Sequence, residues 1–247
     1  MTNSRVDAVV TGAGSGIGLA VGRRLVREGF SVLGVDRDED GLDRATAEGM
    51  QVLRADLSEA ADRDGVVERA AGCRYLVNAA GIILLKPIAE VTVADLERVY
   101  RVNVHAVWDL TSRVGAGMAP GSAIVNLSSS SAKLATTTEA AGYASSKAAV
   151  LSLTRSFAYA FAPGNVRVNA ICPGIIDTPM QDAVLAKVAV ARGVDVADLA
   201  RERNSVVPLK RAASADECAG AIWFLLSDEA AYMTGQAVNF TGGLVMH

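Results

Sequence analysis

Short runs of apolar, largely β-branched residues alternate along this chain with longer stretches in which apolar positions recur every three or four residues. The short runs read as strands: Asp7–Val10, Ser31–Asp36, Gln51–Ala55, Arg74–Asn78, Ala123–Leu127, Arg167–Ile171 and Ala237–Phe240. They lack the clean polar–apolar alternation of a half-solvated sheet, which is the pattern of strands covered on both faces. Parallel neighbours need long crossovers, and the helical stretches between the runs supply them. The expected fold class is therefore α/β, a doubly wound parallel sheet of about seven strands with helices on both faces. No linker, charge block or repeat divides the chain, so residues 1–247 are expected to form a single domain. The longest interruption lies between Pro173 and Pro208, where Asp177–Arg203 has a helical pattern between the sixth and seventh strands. An excursion at the carboxyl ends of strands covers a site, and 177–207 is read as a substrate lid.

Composition narrows the function. With 51% hydrophobic, 21% charged and 5% aromatic residues, the chain can bury a sizeable core and is not disordered. Its 24 Lys+Arg against 27 Asp+Glu leave a formal net charge of -3, which offers no general attraction to nucleic acid or to an anionic membrane. Cys73, Cys172 and Cys218 are scattered and show no CxxC spacing, so they specify neither a disulfide framework nor a thiolate metal site. His105 and His247 are too few for a multi-histidine zinc site, and no metal is expected. No long apolar run or leader-like segment precedes the first strand, and a cytoplasmic location is the expectation.

The first strand runs straight into Thr11-Gly12-Ala13-Gly14-Ser15-Gly16-Ile17-Gly18, and an amphipathic helix follows to about Glu28. Gly12 and Gly16 let the backbone turn and approach a pyrophosphate, while the helix offers unpaired N–H groups and its positive end. Gly12, Ser15, Gly16, Ile17 and Gly18 are the expected phosphate contacts. The spacing differs from GxGxxG and lacks the Lys-Ser/Thr pair of a triphosphate loop. Asp36, at the end of the second strand, falls eighteen positions past Gly18, where a carboxylate can accept from both ribose hydroxyls of an adenosine. The same charge repels a 2′-phosphate, so NAD is favoured and NADP is the lesser alternative. Arg37 cuts the other way, since a guanidinium there can stack on adenine or pair with phosphate. Asp56 and Leu57 can hold the adenine edge, although Asp56 or Ser58 equally suits a helix N-cap.

Tyr143 and Lys147 are four residues apart at the start of a helical pattern running to about Phe161, which puts both on one face. A neighbouring ammonium favours phenolate, so the pair can exchange a proton closer to neutrality than a free phenol does. The fifth strand delivers Ser128-Ser129-Ser130-Ser131 to the carboxyl end of the sheet, where ligands bind in open parallel sheets.

Taken in this order, these features resemble the short-chain dehydrogenase/reductases, in the branch with a TGxxxGxG loop and a YxxxK pair. Further features of that family are Asn78-Ala79-Ala80-Gly81 after the fourth strand, Asn103 in Val102-Asn103-Val104, and Cys172-Pro173-Gly174 after the sixth strand. The resemblance spans nearly the whole chain. It implies a Rossmann-type domain and reversible hydride transfer between a nicotinamide cofactor and a secondary alcohol or ketone. It casts Tyr143 as the general acid/base, and Lys147 as the group that lowers its pKa and holds the nicotinamide ribose. Asn103 becomes the holder of a proton-relay water, a helix-distorting structural amide, or both. Asn78, Ala79 and Gly81 flank the cofactor, Asn78 and Gly81 also stabilising the central sheet, and Pro173, Gly174, Ile176 and Thr178 hold the nicotinamide amide and pyrophosphate. Ala79 stands where the family commonly has a second Asn. For the catalytic serine, the family's usual spacing to the tyrosine selects Ser130 and the register from Asn126 selects Ser129; strand register is stiffer than loop length, so Ser129 is expected and Ser130 is the alternative.

The lid and the ending Val207-Pro208-Leu209-Lys210-Arg211 resemble polyol, sugar and diol dehydrogenases, so a small alcohol or ketone is the expected substrate. The alternative is a 3-oxoacyl-carrier-protein reductase, whose acidic partner would need a basic landing patch. Val114–Ala132 holds no Lys or Arg, which leaves Arg98, Arg101, Arg113 or Lys133 for that purpose. A more remote alternative is a non-catalytic NAD-binding scaffold. The family also implies a homo-oligomer, tetramer or dimer, and the apolar surplus along Ala144–Phe161 suits one. The tail from Leu244 either reaches a neighbouring subunit's site or is disordered.

Overall fold

Successive residues of the first strand point into different cores, Ala8 and Val10 into one and Val9 into the other. The computed structural model describes residues 5–135 and 138–247. Strand β1 (Ala8–Thr11) passes through the glycine loop into α1 (Gly16–Arg27). The alternation continues with β2 (Val32–Asp36), α2 (Glu39–Ala47), β3 (Gln51–Arg54), α3 (Ala60–Arg69) and β4 (Tyr75–Asn78). Helices α4 (Val93–Tyr100) and α5 (Ala106–Gly115) flank a π-helical turn at Arg101–His105 and lead to β5 (Ala123–Leu127). The long helix α6 (Ala141–Phe161) then returns the chain to β6 (Arg167–Pro173). Before the last strand the chain makes β7 (Ile176–Asp177), α7 (Pro179–Arg192), α8 (Val196–Ser205), β8 (Ala213–Ser214) and α9 (Ala215–Leu226). It closes with β9 (Ala237–Phe240).

Seven strands form one parallel sheet in the order β3-β2-β1-β4-β5-β6-β9, and β7 pairs with β8 apart from it. This is the single-domain, Rossmann-like doubly wound sheet that the strand pattern predicts. On one face Val21 and Leu25 of α1 meet Ile222 and Leu225 of α9 over Val10 and Val125. On the other, Val66 of α3, Leu110 of α5 and Phe157 of α6 cover Val9, Leu76 and Ile124. Burial on both sides is why these strands read as continuous apolar runs, and each such side chain is worth about 1.5–3 kcal/mol.

Two segments differ from the sequence reading. The excursion at Asp177–Arg203 is two helices. Gly193 takes a left-handed φ of 65° that ends α7, and Asp195 starts α8 by accepting from the N–H groups of Ala197 and Asp198 at 2.8 and 3.2 Å. The tail folds onto its own chain: Thr241 bonds Val245 in both directions at 3.1 Å, and Lys133 and Asn239 hold the His247 carbonyl.

Candidate active site

Strand order reverses at β1, whose neighbours β2 and β4 send their connections to opposite sides of the sheet. A crevice opens at the carboxyl ends of the strands at such a point. Thr11 stitches its floor, accepting from the N–H groups of both Ala79 and Ala80 at 3.1 Å. Gly12 has a φ of 68°, and a Cβ there would sit 2.8 Å from the Ala80 nitrogen, so only glycine lets the two loops meet. Helix α1 begins with no side-chain cap bond at Ser15 and no acid in its first turn. Its first N–H groups and its dipole are thus left for an anion, which fits a pyrophosphate.

Asp36 lies at the edge of this crevice. Its carboxylate accepts from the backbone N–H of Gly14 at 2.9 Å, Arg37 at 2.7 Å and Asp38 at 3.1 Å, so its place is fixed by the main chain. Arg37 turns toward Asp56 at 3.6 Å. Asp56 itself accepts from the N–H and hydroxyl of Ser58, which hold its carboxyl below the ordinary range. Gly14 escaped the sequence reading of site residues. It faces Gly41 of α2 so closely that a Cβ at Gly14 would stand 2.9 Å from Gly41 Cα and from Asp36 Oδ2. A glycine inside the α2 pattern was the available signal.

On the far wall α6 presents Tyr143 and Lys147, and the loop after β5 presents the serines. Ser129 and Tyr143 face the same cleft, and the Ser129 hydroxyl acts to lower the pKa of the Tyr143 phenol. Ser129 also caps the short turn that follows it, accepting from the Ser131 N–H at 3.1 Å, while Ser128 points away and donates to the Lys147 carbonyl at 2.8 Å. Burial pushes the Tyr143 phenol above its usual value, and the Ser129 hydroxyl pulls the other way. Lys147 is buried too, and its Nζ donates to the Leu127 carbonyl at 2.8 Å and lies 5.8 Å from the centre of the Tyr143 ring. Loss of water pulls this ammonium down to about 8. Burial of the phenol, rather than a dominant countercharge from Lys147, thus sets the direction of the tyrosine's shift.

One cleft of about 820 Å³ joins these parts. Its wall includes Gly12, Ser15, Gly16, Ile17 and Gly18 from the first loop; Asp36, Arg37, Asp56 and Leu57 from the second and third; and Ala79 and Gly81 from the fourth. Ser129, Ser130, Tyr143, Lys147, Pro173, Gly174, Ile176 and Thr178 complete it, with residues of α7 and α8 opposite. Two expected residues stand behind the wall. Asn78 does not face the cleft: its amide donates to Asn126 at 2.8 Å and Thr111 at 3.0 Å, tying β4 to β5 and α5 inside the sheet. The Asn103 side chain sits in the π-helical turn, where it accepts from the Ile82 N–H at 2.9 Å and donates to the Ile82 carbonyl and the Ser146 hydroxyl, both at 3.0 Å. A Cβ on Gly81 would lie 3.3 Å from both Asn103 Oδ1 and Lys147 Nζ, so that glycine keeps the two polar groups adjacent.

A parallel sheet with an anion-ready helix end, a carboxylate at the end of its second strand and a half-buried tyrosine facing a buried serine defines a nucleotide-binding oxidoreductase. A family model described as enoyl-(acyl carrier protein) reductase matches residues 12–245. L-2,3-butanediol dehydrogenase of Corynebacterium glutamicum is 31% identical over 96% of this chain and 98% of its own length. The 3-oxoacyl-[acyl-carrier-protein] reductase FabG of Thermotoga maritima is 34% identical over 96% of this chain and 97% of its own. A short-chain dehydrogenase family protein from Francisella tularensis superposes with a TM-score of 0.89 at 26% identity, covering 98% of this chain and 99% of that one. The chain belongs to the short-chain dehydrogenase/reductase family, whose members bind NAD or NADP.

Proposed function

We propose that this oxidoreductase prefers NAD and interconverts a secondary alcohol of a small diol, polyol or sugar with its ketone. The observation that carries the reading is the Tyr143–Ser129 pair in the same cleft as Asp36. Bound nicotinamide supplies the two-electron hydride chemistry. Gly12, Ser15, Gly16, Ile17 and Gly18 would hold its pyrophosphate; Asp36 and Arg37, with Asp56 and Leu57, the adenosine; and Ala79, Gly81, Pro173, Gly174, Ile176 and Thr178 the other end. Asp36 favours NAD because a 2′-phosphate would bring like charge to a carboxylate already fixed by backbone N–H groups.

Ser129 holds the substrate oxygen, and Tyr143 takes the hydroxyl proton during oxidation and returns it during reduction. Lys147 carries the adjacent positive charge, and Asn103, beside it across Gly81, holds a relay water. Helices α7 and α8 form the lid that excludes solvent. The protein acts in the cytoplasm, where its three free, buried cysteines stay reduced. It works as a homo-oligomer, dimer or tetramer, through the face where Trp108 and Tyr159 are 51% and 88% exposed. Sedimentation of a Trp108→Glu/Tyr159→Glu variant tests that face.

The test of the activity is initial rates with NAD or NADP against diols, polyols, sugars and a 3-oxoacyl thioester, with Tyr143→Phe as control. Turnover of a diol or polyol with NAD, lost in the variant, supports the reading. The second reading, an oxoacyl thioester reductase, draws on the likeness to the Thermotoga enzyme. Of the cations it could use, Arg113 is engaged by Asp64 and Asp109, and Lys133 by the Ala237 and His247 carbonyls, which leaves the exposed Arg98 and Arg101. Activity confined to NADPH and the thioester would replace the first reading with it. Binding without turnover would favour a scaffold.

A further inference from the structure

The lid wall of the cleft carries an arginine that, among the described residues, no carboxylate neutralises. Arg203 of α8 is half-buried and lines the cleft that also holds Tyr143 and Ser129. Two neighbouring cations of the cleft are paired with acids: Arg192 meets Glu202 at 3.5 Å, and Lys86 meets Asp95 at 2.8 Å. Among the described residues no carboxylate forms an ion pair with Arg203. Its partner is Gln181 in the first turn of α7, whose amide, turned carbonyl inward, accepts from the guanidinium at 3.0 Å. A neutral amide fixes the direction of the guanidinium without cancelling its charge. A second lid cation, Lys187, donates to the Leu85 carbonyl at 2.9 Å and also meets no carboxylate.

This arrangement bears on substrate choice. Burial and the neighbouring Arg192 hold the Arg203 pKa below its ordinary value, yet a guanidinium keeps its proton, so a positive potential remains in the wall. A neutral substrate would cover Arg203 and strip its water without replacing it. A carboxylate or phosphate offers two oxygens to the planar fork and restores the lost bonds.

We infer that Arg203, oriented by Gln181, determines specificity by binding an anionic group, carboxylate or phosphate monoester, on the substrate whose secondary alcohol reaches Tyr143. The inference rests on the oxidoreductase reading above and narrows its substrate class to hydroxy acids or sugar phosphates. No chemical step is added.

The test compares kcat/KM for secondary hydroxy acids of four to six carbons with their methyl esters, and for sugar phosphates with the free sugars, using NAD. Wild type should favour the anionic member by about ten- to hundredfold, the worth of a charge-assisted hydrogen bond. Arg203→Met should erase that preference, chiefly by raising KM for the anionic member, whereas Arg203→Lys should keep part of it. The class that shows the preference separates carboxylate from phosphate. Equal use of acid and ester by wild type, or a preference that survives Arg203→Met, overturns the inference. If Arg203→Met does not fold, an undiminished preference in Arg203→Lys overturns it and a reduced one supports it. Saturation-transfer NMR of 3-hydroxybutanoate and glucose 6-phosphate on the NAD-loaded protein gives a readout without turnover. A signal present in wild type and lost in the variant sustains the inference even where no alcohol is oxidised, in which case the activity reading alone has failed. No signal and no turnover overturn both.

Discussion

The backbone N–H of Gly14 donates to Asp36 Oδ2 at 2.9 Å, which links the loop after β1 to the end of β2. The carboxylate proposed to select the ribose is therefore placed by the same loop that is proposed to receive the pyrophosphate. A methyl group at Gly14 would fall 2.9 Å from that oxygen and from Gly41, neither of which can retreat without moving α2.

Gly14→Ala should weaken NAD binding by about tenfold, near 1.4 kcal/mol, while the secondary structure stays intact. Asp36→Ser removes the charge and should move the NADP-to-NAD ratio of kcat/KM upward by about ten- to hundredfold. Calorimetric titration with NAD checks the first and initial rates with each nucleotide the second, and an unchanged ratio in Asp36→Ser would sink the assignment of that carboxylate.

Burial raises the pKa of Tyr143 and so favours the protonated phenol, the form that donates to a ketone. Ketone reduction should hold level on the acid side of neutrality and fall at alkaline pH. Alcohol oxidation, which needs the phenolate, should climb toward alkaline pH. Initial rates in both directions across pH 6 to 10 decide this, and profiles of the same slope in both directions would contradict it.

Lys147 is charged at neutral pH at a cost, since burial pulls its pKa from 10.5 to about 8. At roughly 1.4 kcal/mol per pH unit this is about 3 kcal/mol of destabilisation, fully present below pH 8. Between pH 8 and 10.5 the unfolded chain holds the proton that the folded one has lost, so stability attributable to this group rises with pH. Lys147→Met should be inactive yet more stable at pH 7 by about 2 kcal/mol, after loss of the bond to Leu127. The advantage should shrink as pH rises through that window. Urea unfolding of both proteins at pH 7 and 10 measures it.

Arg167 is buried beneath the end of α9, where its guanidinium donates to the carbonyls of Leu225, Leu226 and Ser227 at 2.7, 2.8 and 2.9 Å. It closes the negative end of the helix from below the sheet. Arg167→Met should cost about 2–4 kcal/mol and leave kcat of the folded enzyme unchanged. Denaturant midpoints alongside active-site titration would show it.

The sheet was legible because burial on both faces writes apolar runs directly into the strands, as at Ala123–Leu127, where the predicted and observed limits coincide. The cleft residues were legible where local chemistry is unusual, as in the glycine loop and the Tyr143–Lys147 spacing. Asn78 and Asn103 were harder, because an amide serves a ligand or a neighbouring strand equally well and only the partners distinguish them. Thr111 and Asn126 claim Asn78 across 33 and 48 residues of sequence. The break at Gly193 was missed because the apolar period continues across it. Arg203 gave no sign at all: its isolation from carboxylates exists only once α7 and α8 are laid together.

The two walls of the cleft are fastened unequally. Tyr143 and Ser129 hang from a seven-stranded sheet with covered faces, but α7 and α8 are spliced in between β6 and β9 and anchored by the two-residue β7–β8 pair. Segment 179–205 thus contributes no strand to the sheet that carries the opposite wall. A cleft with one fixed wall can be refitted for a new molecule by rewriting a stretch of about one-tenth of its chain, and descent with altered diet needs no other tool.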